Sequence, residues 1–371
     1  MTTHSEEDAM KATGTGSSVI AEGTNANGSD DDSNAVVVRK RPTWEITMEK
    51  LLDECASSDN PFLNSFASSP LMERFLRDNA LAKAFGRMSR SRLRKELQES
   101  AALESKLARA LPGLLATQTA SGGTVSRSEP GMGTTQTEDL VIWDLCCGKG
   151  FSSLWLATNT FPQASSITSE DATIDTNHAC PITNDNPGKV SIHMVDTDGD
   201  INFDWINGFP NLTFHKLDIY SHDLEDAIRE STMDGQKKLI VVGIHTCGDL
   251  SRRVLQLGQL CEAYATLVSP CCCIRPLKLK KRKIGSFGYD TAMKARNFNG
   301  QVSVYQLWGW MLWGYARAMN QQQAEKSGEQ QKRRTSHRID LTAEPLMKTD
   351  KNIWLSVVAA PTTRVFPVDS S

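Results

Sequence analysis

The sequence has no apolar run long enough to cross a bilayer, which takes ~18 residues or more. The nearest stretch, Val302–Met319 (VSVYQLWGWMLWGYARAM), is broken by Gln306, Arg317 and two glycines and reads as a buried core helix. No membrane partner is expected. Net charge is also nearly absent: 41 Lys and Arg stand against 44 Asp and Glu, a balance of −3. No global field therefore draws the chain to nucleic acid, and any basic surface must be local. The N-terminus, MTTHSEEDAMKATGTGSS, has no basic stretch leading into an apolar one and carries two early glutamates, which excludes the pattern of a secretory or transit leader. The nine cysteines lack the spacing of a disulfide framework, since five of them are adjacent in sequence as Cys146-Cys147 and Cys271-Cys272-Cys273. Nor does a contiguous triple offer C-x-x-C metal geometry. The expectation is a reduced protein of the cytoplasm or nucleus, without a structural metal.

What is present divides into segments of different grammar. Apolar residues make up 39% of the chain and the mean hydropathy is −0.38, as for a globular core diluted by polar segments. Residues 1–42 (GTNANGSDDDSN within) have no apolar periodicity and read as a disordered tail. Over 43–116 apolar residues recur at helical spacing: Leu51, Leu52, Cys55, then Phe62, Phe66, Leu71, Phe75, then Leu93, Leu97, Leu103, Leu107 and Leu111. The cations Arg87, Arg90, Arg92, Arg94 and Lys95 in this region read as a solvated helix face before a phosphate-binding strip. Residues 117–138 form a linker. From 139 to 366 apolar strands alternate with helical stretches, the pattern of a parallel-rich sheet covered on both faces. The strand candidates are Leu140–Leu145, Val190–Val195, Leu212–Leu217, Lys238–Ile244, Ala265–Ser269 and Asn352–Ala359. The polar, aperiodic stretch 164–189 reads as a disordered insertion.

The strongest signal is Val141–Ala157, VIWDLCCGKGFSSLWLA: an apolar strand ending in Asp144, a turn with Gly148 and Gly150, and an amphipathic helix beginning near Phe151. Glycines at this place in an open α/β sheet let a nucleotide-like ligand approach the backbone. The dinucleotide fingerprint G-x-G-x-x-G is incomplete, because Ser153 stands where the third glycine belongs, and no P-loop is present here. An acid just before the first glycine instead favours a cationic, phosphate-free cofactor, and S-adenosylmethionine fits. Asp144 would receive its amino group, directly or through water, with Cys146 and Phe151 flanking the turn. The second strand ends in Asp196, placed to accept ribose hydroxyls, with Asp198 in reserve; the third ends in Asp218, placed to accept from an adenine amine. After the fourth strand come His245, Thr246, Cys247 and Asp249, candidates for cofactor contact or proton handling. Asp249 equally suits the N-cap of the next helix. After the fifth come Cys271, Cys272 and Cys273, read first as buried or cofactor-lining, second as nucleophiles, third as metal ligands. The catalytic candidates are His245, Cys271 and Cys272.

The combination D-L-C-C-G-K-G-F, I-H-T-C-G-D-L-S and S-P-C-C resembles a eukaryotic family of class I methyltransferase domains. In that family the first motif reads D-x-C-x-G-[KR]-G-F, the fourth strand ends H-A-C-G-x-L and the fifth ends in paired cysteines. The segment also looks related to the tRNA 2′-O-methyltransferases of the acceptor stem. The resemblance runs from Leu140 to about Cys273, with KNIWLSVVAAP as an extension, and leaves out the N-terminal 120 residues. It implies a Rossmann-like α/β sheet with helices on both faces, S-adenosylmethionine as cofactor, and cofactor contacts at Asp144, Gly148, Gly150, Asp196 and Asp218. Thr246 departs from the family's alanine, and Cys273 stands where an aromatic often follows the pair. Both departures bear on the acceptor.

The fifth strand leads into Arg275, Lys278, Lys280, Lys281, Arg282 and Lys283, either a solvated or targeting run or a phosphate-binding rim suited to RNA. Trp308, Trp310, Trp313, Tyr305 and Tyr315 read as a helix packed on the sheet before a base-stacking platform. A nucleotide-dependent oxidoreductase and a silent binding module are the competing classes.

Overall fold

Seven strands form one sheet: β1 (Leu140–Leu145), β2 (Val190–Asp196), β3 (Leu212–Lys216), β4 (Lys238–Ile244), β5 (Ala265–Ser269), β8 (His337–Ala343) and β9 (Ile353–Ala359). Their order is β3-β2-β1-β4-β5-β9-β8. The pairs from β3 to β5 are parallel, β9 runs antiparallel to β5, and β8 antiparallel to β9. A two-stranded hairpin, β6 (Leu277–Leu279) with β7 (Arg282–Ile284), follows β5. The structure is a computed structural model, and it describes residues 43–86, 88–111, 139–162, 189–198, 201, 203–233, 237–244, 246, 248–270, 277–279, 282–284, 303–326, 337–344 and 353–359. The tail 1–42 and the linker 117–138 lie outside the described residues, as does the insertion 164–189 except for Lys189.

The strand sequences explain their places. β1 (LVIWDL) and β5 (ATLVS) are buried at every position, as central strands covered on both faces must be. β8 (HRIDLTA) alternates polar and apolar residues and forms an edge of the sheet, where such alternation belongs. It is the one sheet strand absent from the expectations above, and its period-2 pattern was the signal. β2, β3 and β9 differ from the expected bounds by one residue. The architecture is a Rossmann-like α/β sheet with helices on both faces, as the resemblance implied.

Helices cover both faces. On one lie α7 (His222–Glu230), α8 (Leu250–Leu260) and α9 (Val304–Lys326). Here Trp308 and Leu312 of α9 are buried in the core while Trp310 is 55% exposed. On the other lie α6 (Phe151–Trp155, continued as a π turn to Thr160) and the N-terminal helices: α1 (Thr43–Ala56), α2 (Pro61–Ala67), α3 (Pro70–Arg77), α4 (Asn79–Gly86) and α5 (Arg90–Ala110). Ser69, Ser89 and Ser221 start α3, α5 and α7, each accepting a backbone N–H with its hydroxyl. The N-terminal helices share one continuous hydrophobic core with α6 and the sheet. Of the expected cation strip, Arg90 pairs with Glu54, Arg92 with Glu96 and Lys95 with Glu99, the behaviour of a helix face satisfied within the protein.

Two polar features mark this packing. Lys106 of α5 and Glu344, just past β8, form an ion pair of 3.3 Å with side chains 3% and 7% exposed. On the opposite face Trp143, His193 and His215 stack across β1, β2 and β3, with ring centroids 4.5 and 4.9 Å from Trp143. His193 Nδ1 and His215 Nε2 lie 2.9 Å apart, so one ring donates to the other. Burial and then the second imidazole lower the His193 pKa from its ordinary 6.5 to about 4.

Two outcomes follow. Lys106→Ala leaves a buried carboxylate without its ammonium partner and is expected to cost ~3–5 kcal/mol. The double change Lys106→Met with Glu344→Leu recovers most of it in chemical denaturation. For the histidine pair, the unfolded chain takes up a proton near pH 6.5 while folded His193 does so only near 4. Its contribution to stability is therefore complete above pH 6.5 and is lost as the pH falls toward 4. Melting temperatures across that window decline in the wild type, and less steeply in His193→Phe, which keeps the stack and removes the titration.

Candidate cofactor site

The strand order reverses between β1 and β4, and the crevice outside their carboxyl ends is where open α/β sheets take ligands. The turn from β1 into α6 is built for close approach. Cys146, Gly148 and Gly150 have φ of 61, 56 and 75°, so three of the five residues from 146 to 150 are left-handed. A Cβ added to Gly150 would lie 2.7 Å from Met194 Sδ and 3.3 Å from the Trp205 ring, so glycine is required there by contact as well as by φ. A Cβ on Gly148 would meet nothing within 4 Å. The backbone at Gly148 therefore faces open space, a cradle that a side chain would fill.

The turn is held from β2. Cys147 N–H donates to Val195 O (3.0 Å), and Gly148 N–H donates to Asp196 Oδ2 (3.0 Å). Asp196 Oδ1 accepts from Asp198 N–H (2.9 Å), so each carboxylate oxygen has one protein donor and keeps capacity for another. Asp144 is 2% exposed and sits beneath the turn, where Oδ2 accepts from Ser153 Oγ at 2.7 Å. The residue in the position of the missing third glycine thus serves the first acid. Asp218 is exposed at the end of β3, its Oδ1 accepting from Tyr220 N–H (2.9 Å).

Arg253 of α8 fixes that last loop. It is 8% exposed, donates from Nε to Ile219 O (3.0 Å), pairs with Glu225 and lies over the Tyr220 ring at 5.8 Å. Its hydrogen bond holds the Glu225 carboxyl below the usual range. Burial, followed by the Asp249 carboxylate, pushes the Tyr220 phenol up to about 12.

The three acids expected at three strand ends converge electrostatically on one residue. Burial first, and then Asp196, Asp144 and Asp218, raise the Cys146 thiol far above its ordinary range. Cys147 is raised in the same way by burial, Asp144 and Asp196. Both thiols are neutral at physiological pH, and the crevice is acidic. Its turn carries one cation, Lys149, whose ammonium donates to Ala84 O of α4 at 3.4 Å.

Other expected residues lie differently. The Phe151 ring is buried against Phe75 and Phe85, centroids 6.4 and 5.4 Å away, while its backbone opens α6 behind the turn. Thr246 is fully buried, its hydroxyl 3.0 Å from that of Ser251 in α8. Asp249 occupies the N-cap position of α8, makes no side-chain cap bond, and lies 3.8 Å from Arg252. His245, Cys247, Cys271, Cys272, Cys273, Arg275, Lys280 and Lys281 lie outside the described residues. Lys278 pairs with Lys283 across the β6–β7 hairpin, and Leu279 with Arg282. A cavity of about 30 Å³, room for a water, lies at the opposite, amino end of β5 between Gln259, Asn320, Gln323 and His337. Trp205 and Phe85, which back the glycine turn, were not among the expected site residues; Trp205 lies in the apolar DWINGF run after β2, and nothing local in sequence points Phe85 to the turn.

Residues 124–278 match the family model of a methyltransferase domain. No curated protein matches the chain. The match spans the glycine turn, all three acids, β4 and β5, and stops within the β6–β7 hairpin. The five N-terminal helices and the β8–β9 pair lie outside it.

Substitution separates the two glycines. Gly148→Ala is expected to cost only the left-handed strain, ~1–2 kcal/mol. Gly150→Ala adds the collision with Met194 and Trp205 and lowers the melting temperature markedly more. Equal losses in thermal unfolding would contradict the open cradle at Gly148.

Proposed function

We propose that the protein is an S-adenosylmethionine-dependent methyltransferase whose acceptor is RNA. The observation that carries the cofactor reading is the open cradle at Gly148, whose N–H donates to an Asp196 carboxylate that keeps capacity for further donors. Acceptor-only side chains suit a ligand rich in hydroxyl and amino donors, and their charge suits a cationic one. A diphosphate at the cradle would meet the Asp196 carboxylate that holds Gly148 N–H, and the one cation of the turn donates to Ala84 O. This favours S-adenosylmethionine over a nicotinamide dinucleotide. The cofactor supplies an electrophilic methyl group.

The chain's own residues do the rest. Asp196 has remaining lone pairs for the ribose hydroxyls, and Asp218, exposed on the loop that Arg253 fixes, is the acceptor for the adenine amine. Asp144 keeps the turn in shape through Ser153 and reaches the ligand through the backbone it supports. His245 follows the last residue of β4 and Cys271 follows Pro270 after β5, so their sequence positions make them the candidates for removing the acceptor's proton. The acceptor class is supported by the cations of residues 275–283, which begin just past the carboxyl end of β5. Phosphates are the groups that such a run of cations binds.

Calorimetry of the full chain is expected to show binding of S-adenosylmethionine and of its demethylated product, none of NAD or NADP, and at least a ~10-fold loss in Gly148→Ala, the direction expected when a cradle is filled. Tritiated methyl transfer into total RNA should be abolished by ribonuclease. The pair Lys280→Glu and Lys281→Glu should lower that transfer and leave cofactor affinity unchanged. Label entering protein instead of RNA would overturn the acceptor; NAD binding would overturn the cofactor.

A further inference from the structure

The stretch that matches a methyltransferase domain begins after the N-terminal helices, yet those helices form the outer wall of the cofactor turn. α6 has only five α-helical residues before it loosens into a π turn, too short a helix to hold its own position. Its outward surface is claimed residue by residue from 43–111. Ser100 Oγ lies 3.1 Å from Ser152 Oγ, Glu104 accepts from Trp155 Nε1 (3.0 Å) and Thr160 Oγ1 (3.1 Å), and Leu71 N–H donates to Asn159 Oδ1 (3.2 Å).

Closer to the turn the contact is carried by α4. Phe85 packs edge-on against Phe151, the first residue of α6, and against Trp205, both at 5.4 Å. Trp205 in turn limits Gly150. Lys149, inside the turn, donates to Ala84 O in the last turn of α4, whose carbonyls have no partner within their own helix. A cation there also meets the negative end of the helix dipole. On the far side of Trp205, Arg74 of α3 donates to Gly208 O (3.3 Å) and lies 4.2 Å over the Phe209 ring.

We propose that Phe85 and the Lys149–Ala84 contact are positioning elements of the cofactor site: they set the conformation of the Cys146–Gly150 turn, so cofactor affinity depends on how α4 is docked. The proposal rests on the cofactor reading above. Neither group touches the reacting atoms; both act through the turn.

Calorimetry with S-adenosylmethionine and its demethylated product tests it on the full chain, run well below each variant's melting temperature. Phe85→Ala and, separately, Lys149→Met are expected to weaken binding by about 10-fold, within the usual range for coupled sites. Lys149→Arg, which keeps a donor and the charge, should restore affinity. By reciprocity, saturating product should slow amide exchange in residues 79–86 of the wild type more than in residues 43–56. Variants that stay folded, melt lower and bind as the wild type does would overturn the coupling and leave the cofactor reading intact. A wild type that binds neither ligand would instead remove that reading, and the proposal with it. If Phe85→Ala does not fold, the Lys149 pair and the exchange measurement decide.

Discussion

Everything at the carboxyl edge of the sheet depends on a backbone conformation that costs free energy. Three left-handed residues in five, one of them a cysteine, cannot be supplied by local preference, because a side chain in that region is disfavoured by ~1–2 kcal/mol. The surroundings over-determine the turn. β2 holds it by Val195 O and the Asp196 carboxylate, Ser153 ties its far side to Asp144, and Met194 with Trp205 leaves room only for glycine at 150. The same carboxylates that hold the turn also give the crevice its sign. Shape and electrostatics here have one origin.

That sign is local. A chain with a net charge of −3 has no long-range preference, but Asp144 and Asp196 beside the turn, with the turn's own ammonium donating to a helix end, create a strongly asymmetric neighbourhood. The basic residues that follow β5 put the opposite sign next to it in the chain. Neutral Cys146 and Cys147 contribute volume and burial, since the surrounding carboxylates oppose their ionisation.

The strands that build the crevice were legible because each is a short apolar run, and β1, β2 and β3 each have an acid at or near the carboxyl end; such signals are local. Three of the six expected strands, β1, β4 and β5, have the observed bounds, and the other three, β2, β3 and β9, differ by one residue at one end. β8 escaped because Arg338, Asp340 and Thr342 dilute its apolar content, although their alternation is that of an edge strand. Side-chain direction was less legible. Phe151 stands in the motif, but its ring turns to Phe75 and Phe85, and Thr246 turns to Ser251; both directions are set by helices distant in sequence. The role of the N-terminal helices was hidden for the same reason. Their periodicity announces helices, and nothing in it names the surface they cover.

The ion pair between Lys106 and Glu344 joins an early helix to the last part of the sheet, and α5 also rests on β9. During synthesis the N-terminal helices precede the sheet, and the last part of the surface that receives α5 does not exist until β8 and β9 have been made. Phe66, Phe75 and Phe85 meet their partners Trp155, Phe151 and Trp205 earlier, so the Lys106 end of α5 is what waits for the last strands. The ends of the described fold are therefore tied together late, and a buried Lys106 ammonium has its Glu344 partner only once the last strands are in place.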